Sequence, residues 1–216
     1  MHISNNKNFS PQFKAIKVAN TLNKIKGVTT EIEIYQLTKE DKNFLQKLEN
    51  RISIKKLCPN LKDEIQQRWQ QVFNYCIQEA KESFNKTFIT ISDGIPCGIL
   101  TLFEDCGKNL EFLGISSIPN QFGEKVNFGG QTLLYQLFKE AEKEGKGIQL
   151  QAIHNGPVDV VKKYKDLGFI TVGASEKYTD MECNRYKVKE QLNKFKELIV
   201  YSPKKGEKTN LEQFLD

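Results

Sequence analysis

Between Leu110 and Ile153 the hydrophobic period changes twice, and that change limits the folds open to the chain more than any other feature. Leu110 to Ile118 reads as a strand closed by Pro119; Gln131 to Glu144 places Leu133, Leu134, Leu137, Phe138 and Ala141 on one helical face; Ile148 to Ile153 is again a strand. Such a run is a crossover unit, and its right-handed connection sets strands 110–118 and 148–153 side by side and parallel. Upstream the pattern is an antiparallel meander. Phe88 to Ile91 and Ile95 to Phe103 flank the tight-turn signal Ser92-Asp93-Gly94, and Cys106-Gly107-Lys108-Asn109 turns the chain into the strand at 110. Together these segments predict an α/β protein with a mixed central sheet of about seven strands and flanking helices.

The other elements fill in around that unit. Val28 to Thr38 alternates apolar and polar as a first strand, and Thr38 can cap a helix through Phe44, Leu45 and Leu48 to about Ile52. Asp63 to Ser83 carries Ile65, Trp69, Val72, Phe73, Cys76, Ile77 and Ala80 at helical spacing, and Trp69 reads as core within that stripe. Pro157 to Leu167 reads as a helix, and Phe169 to Val172 and Met181 to Val188 as strands. Three segments follow: a basic N-terminal extension at 1–27, a domain at 28–188, and a tail at 189–216. The tail has a helical stripe at Leu192, Phe195 and Leu198, then a mobile end rich in Lys, Gly and Pro.

Charge and cysteine usage narrow the function classes. The net charge of +5 comes from the extension, where Lys7, Lys14, Lys17, Lys24 and Lys26 meet no acid. Only three of the 32 bases are Arg and no aromatic residues interleave with them, which favours a solvated leader over a nucleic-acid arm. Five cysteines without a C-x-x-C pair, and only two histidines, predict reduced thiols and no metal site. Cys97 and Cys106 have no paired His and read as core or surface residues, and His154 reads as a structural residue at a strand end. No apolar run long enough to span a bilayer and no secretory leader is seen, so the expected location is the cytoplasm, without a membrane partner.

Phosphate-loop, zinc-protease, nucleophile-elbow and dinucleotide fingerprints are absent. What remains is a strand, a glycine loop and a helix at 110–134, where Gly129-Gly130 precede amides that have no intrahelical partner and attract phosphate.

These residues resemble the GNAT superfamily of N-acyltransferases. The resemblance covers roughly 87–188 and rests on the strand ending Ser117-Ile118-Pro119, on Gly130-Gln131-Thr132-Leu133-Leu134, and on Tyr164-Lys165-Asp166-Leu167-Gly168-Phe169, which matches the family's Y-x-x-x-G-F. It implies an acetyl-CoA-dependent N-acetyltransferase that moves the acyl group directly to an amine, small-molecule or protein, in a monomer or homodimer. Acetyl-CoA would be the co-substrate, held by the strand at Ile115 and Ser117, by the loop and helix start at Lys125, Val126, Phe128, Gly129, Gly130 and Gln131, and by Asn155. Ser116 and Ser117 would form the bulge that splays the parallel pair. Tyr164 is the implied general acid; Glu111, taken to share a face with Leu113, Ile115 and Ser117, is the implied base. Phe128 falls where the family's pyrophosphate loop has its first glycine. That departure supports the alternative of a catalytically silent acyl-CoA-binding or protein-interaction module.

Overall fold

A computed structural model of the chain describes residues 15–25, 28–82, 85–103, 107–125, 128–153 and 159–215. Nine strands form one sheet: β1 (Ala15–Ile25), β2 (Val28–Gln36), β3 (Asn85–Ser92), β4 (Ile95–Phe103), β5 (Asn109–Ser117), β6 (Gly147–Ile153), β7 (Ile170–Ala174), β8 (Tyr178–Cys183) and β9 (Ile199–Thr209). Their spatial order is β7-β8-β6-β5-β4-β3-β2-β1-β9, and β5 with β6 is the parallel pair. The helices are α1 (Lys42–Arg51), α2 (Ile54–Leu57), α3 (Asp63–Lys81), α4 (Gly129–Glu144), α5 (Val160–Asp166) and α6 (Arg185–Leu198). None is long and apolar enough to cross a membrane, among the described residues.

The helices cover the sheet from both sides, which is why its central strands are buried along almost their whole length. On one face Leu100, Leu102, Leu110 and Phe112 pack with Leu133, Leu137 and Phe138 of α4 and Leu192 and Phe195 of α6. On the other, Ile89, Ile91 and Ile99 pack with Phe44, Leu45 and Leu48 of α1 and Phe73, Cys76 and Ile77 of α3. The turn between β3 and β4 holds Asp93 at φ 49° and Gly94 at φ 75°, the two left-handed residues that a two-residue hairpin requires.

The sheet exceeds the seven strands read from the sequence at one edge. Residues 15–25, taken as part of a solvated leader, form β1, antiparallel to both β2 and β9. Lys17 is only 12% exposed and pairs with Glu33. Ala15, Ala19, Thr21 and Asn23 are buried, so this strand faces the interior with small and polar groups that leave no apolar alternation to detect. The segment read as a mobile end is the outermost strand, β9, where Pro203, Lys204, Lys205 and Gly206 are tolerated because one side of an edge strand needs no ladder partner. The strand predicted at 181–188 ends at Cys183. There the Asn184 side chain accepts hydrogen bonds from the amides of Tyr186 (3.0 Å) and Lys187 (3.0 Å) and starts α6. Of the tail's helical stripe, Leu192 and Phe195 lie in the core of their own domain, whereas Leu198 is exposed.

Candidate active site

The site is built on the second half of β5. Thr101 of β4 pairs with Gly114 but Leu102 pairs with Phe112, so Leu113 is the extra residue of a bulge. The sequence reading put the bulge at Ser116 and Ser117; it lies three residues earlier. Gly114 is the reason: a Cβ there would come within 2.9 Å of the Cys76 Sγ of α3, so only glycine lets the bulged strand approach that helix.

One inserted residue reverses the strand's parity beyond it. Glu111 neighbours Tyr75 of α3, whose hydroxyl is held above its ordinary pKa by burial, then by Glu79, Cys76 and Glu111. Ile115, by contrast, packs into the α4 and α6 core. The shared face expected for Glu111 and Ile115 is therefore corrected: the two side chains lie on opposite sides of the sheet.

The bulge also decides which backbone groups are free. Leu100 with Ile115 and Gly98 with Ser117 are register partners, and the Ile118 amide donates to the Cys97 carbonyl at 3.0 Å. In an antiparallel ladder this makes Ser117 and Ile115 members of non-hydrogen-bonded pairs, so their own N–H and C=O groups point away from β4, toward β6. But β6 pairs with β5 only from Asn109 opposite Gly147 to Phe112 opposite Leu150, although both strands continue. The result is a splayed strand pair in which, among the described residues, no strand pairs with the edge of β5 at Ile115 and Ser117.

Next to that edge α4 begins. Its N-cap residue, Phe128, lies at φ 69° and ψ −2° and supplies no side-chain cap, and the first ladder bond runs from the Thr132 amide to the Phe128 carbonyl at 2.8 Å. The amides of Gly129, Gly130 and Gln131 therefore have no intrahelical acceptor. Gly129 packs against β4, where a Cβ would meet the Cys97 carbonyl at 3.0 Å, whereas a Cβ on Gly130 would meet nothing within 4 Å. Phe128, which falls where the resemblance expects a glycine, takes the left-handed backbone that glycine favours. Thr132 anchors the helix start through its hydroxyl, 3.2 Å from Asn23 Oδ1 of β1.

Tyr164, on α5, stacks edge-on against Phe112 (5.9 Å between ring centroids) and Phe169 (5.6 Å). Burial, with a smaller contribution from the Cys76 thiol, pushes its hydroxyl up to about 12. The group stays protonated at neutral pH, and no described residue hydrogen-bonds it. Burial also pushes the Cys76 thiol up to about 12 and the Cys97 thiol to about 11, which leaves neither as a nucleophile at neutral pH.

Lys125 is exposed, its ammonium 4.6 Å from the centroid of the Trp69 ring, and the Trp69 indole N–H donates to the Ser117 carbonyl at 2.7 Å. Trp69, read as core from its place in the α3 stripe, is half-buried and reaches past the core to the end of β5. Val126, Asn155, His154 and Cys106 lie outside the described residues. A cavity of about 250 Å³ beside Ile118 and Pro119, walled by Leu48, Arg51, Leu57 and Phe214, takes in none of the candidate catalytic or cofactor-binding residues. Among the described residues no group of three His, Cys, Asp or Glu is placed to hold a metal ion.

No protein-family model matches the sequence, and no curated protein matches it. Solved structures do resemble the fold. FdhC, described as a nucleotide-linked sugar GNAT, superimposes with a TM-score of 0.54 at 12% identity, over 85% of this chain and 97% of its own. The chain has the GNAT fold. A Bacillus halodurans protein described as uncharacterized gives a TM-score of 0.52 at 14% identity, over 84% and 98% of the two chains. The PaiA N-acetyltransferase of Thermoplasma acidophilum, in complex with coenzyme A, gives 0.48 at 19% identity, over 71% and 98%. Within the GNAT fold the antiparallel meander, the single parallel pair and the helix between its strands are the parts that the sequence made legible.

Proposed function

We propose that the protein is an acetyl-CoA-dependent N-acetyltransferase that passes an acyl group directly to an amine. The observation that carries the reading is the edge of β5 that no described strand fills, where both backbone groups of Ile115 and the amide of Ser117 stand open beside the uncapped start of α4. An extended amide-bearing arm can pair with that edge as an added strand, and a diphosphate at its other end can take the amides of Gly129, Gly130 and Gln131. Lys125 adds a cation on the same side, and Val126 and Asn155 belong to the same proposed shell.

The co-substrate supplies a thioester as acyl donor. The strand edge orients it, and a β5 amide polarises the carbonyl that the amine attacks. Tyr164, held neutral by burial, gives its phenolic proton to the departing thiolate sulfur, and the amine's excess proton leaves to a base for which Glu111 is the candidate. The acceptor panel includes polyamines, amino acids, peptide amines and, because one fold neighbour is described as a nucleotide-linked sugar GNAT, sugar-nucleotide amines.

Tyr164→Phe tests the chemistry. It keeps the ring packing, so CoA affinity should persist while single-turnover transfer falls roughly 10- to 1,000-fold, the span of a lost general acid. Unchanged transfer would remove Tyr164 from the mechanism. CoA binding by calorimetry without transfer to any amine would leave the silent acyl-CoA-binding module as the reading.

A further inference from the structure

We infer that Trp69 is a positioning residue for the phosphate side of this site, and that it couples Lys125 to the free edge of β5. The inference rests on the acetyl-CoA reading above, but the residue and its role come from contacts that reading does not use. Trp69 sits one helical turn before Phe73, the first aromatic residue of α3 inside the core. Its ring therefore leaves the helix at the level of the strand end.

There the indole makes two different contacts. Its N–H donates to the Ser117 carbonyl at 2.7 Å, on the side of β5 from which β6 has departed, so the indole stands where a neighbouring strand would otherwise supply the donor. The Ser116 hydroxyl, 3.1 Å away, shares that acceptor. With the Ser117 carbonyl occupied, its amide and both groups of Ile115 are what the edge leaves for a ligand. The ring meanwhile carries the Lys125 ammonium 4.6 Å from its centroid, and no carboxylate pairs with Lys125 among the described residues.

The loop between these contacts is fixed at its far end. Pro119 bridges to Lys125, the Asn120 side chain accepts from the amides of Phe122 and Glu124, and the Cys58 thiol lies 3.2 Å from the Gly123 carbonyl. Gly123, at φ 76°, touches α2 so closely that a Cβ would fall 1.9 Å from the Leu57 carbonyl oxygen. Loop 119–125 is thus held by α2 at its tip and by Trp69 at its return. A cation resting on an indole face is oriented yet weakly held, and a phosphate offers it a stronger charge-assisted partner. Phosphate arriving at Lys125 draws the ammonium off the ring, and Trp69 registers the change beside Ser117.

Trp69 is the single tryptophan of the chain, so its emission reports this exchange directly. The experiment titrates the intact protein with CoA and, separately, with pantetheine, which has the arm but no phosphate, following emission and heat together. CoA should change the emission and pantetheine should not. Lys125→Met should abolish the CoA-induced change at unaltered melting temperature. Removing a cation–π contact and an indole hydrogen bond together predicts about tenfold weaker CoA binding in Trp69→Leu, against about threefold in Trp69→Phe, which keeps an aromatic face for the ammonium. That graded rescue, compared at measured melting temperatures, separates positioning from a general loss of packing. CoA binding that leaves the emission still, or that is equally tight in both Trp69 variants, would overturn the inference alone. Absence of CoA binding to the unaltered protein would overturn the acetyl-CoA reading and this inference with it.

Discussion

The starts of α6 and α4 solve the same electrostatic problem in opposite ways. Both helices expose amides that no earlier carbonyl can accept, and both concentrate positive dipole there. At α6 the Asn184 side chain takes the amides of Tyr186 and Lys187. Elsewhere the dipole is met by charge without a side-chain cap: Glu40 and Asp41 lie in the 3-10 turn that leads into α1, and Asp63 and Glu64 occupy the first turn of α3. At α4 the N-cap is a phenylalanine, the next two residues are glycines, and the first turn contains no acid. Among the described residues α4 combines an uncapped start with no acid in or just ahead of its first turn, and it begins beside the splay of β5 and β6. On the reading proposed above, the contrast separates donors that serve stability from donors that serve a ligand.

Gly130→Glu breaks that contrast with the largest expected effect. The position is open, since a Cβ there meets nothing within 4 Å, so the side chain fits. A carboxylate in the first turn favours the helix and should leave the melting temperature unchanged or slightly raised. It also brings negative charge to the amides proposed to take a diphosphate, so CoA affinity should fall by about 100-fold, or ~2.7 kcal/mol. Calorimetry and a thermal melt on the same sample check both halves. Undiminished CoA affinity would place the diphosphate elsewhere.

Asn184→Ala gives the reverse pattern and a smaller effect. Loss of a side chain that accepts from two amides should cost about 1–2 kcal/mol, and for a chain of this size lower the melting temperature by a few degrees, with CoA affinity untouched. A change in CoA affinity would mean that α6 and the site are coupled.

The two helix starts differed in legibility as well. The glycine pair before a strong apolar stripe marked α4 in the sequence, because Gly129-Gly130 and Leu133, Leu137 and Phe138 are local signals. Asn184 was passed over because Met181 to Val188 alternates well enough to read as one strand, and only the cap shows where the strand stops. β1 was hidden for a deeper reason: Thr21 and Asn23 are buried through hydrogen bonds to the Ile32 carbonyl, to each other and to Thr132, and polar residues satisfied by distant partners carry no hydrophobic period. Within the site, Ile115 and Ser117 followed from the resemblance, but their free edge depends on a bulge at Leu113. Its available signals were Gly114 inside a strand and the adjacent apolar pair Phe112-Leu113. Trp69 could not be separated from core by periodicity, because it falls on the apolar stripe of α3 while its half-buried ring stands under Lys125.

Phe128 sharpens the comparison at the level of the backbone, with the smallest expected effect. At φ 69° a side chain with a Cβ pays for a left-handed conformation, about 1 kcal/mol, that glycine adopts freely. Replacing Phe128 by glycine alone confounds this relief with lost packing of a half-buried ring and with the greater freedom of the unfolded chain. Phe128→Ala supplies the control, since it loses the same ring while keeping the Cβ. If strain at the start of α4 is real, the glycine variant should be more stable than the alanine variant by up to about 1 kcal/mol in denaturant titrations, although glycine is ordinarily the more destabilising of the two. Equal stability, or a more stable alanine variant, would mean that the loop relaxes to a right-handed backbone once the ring is gone. The ring itself would then be what holds the amides of α4 open.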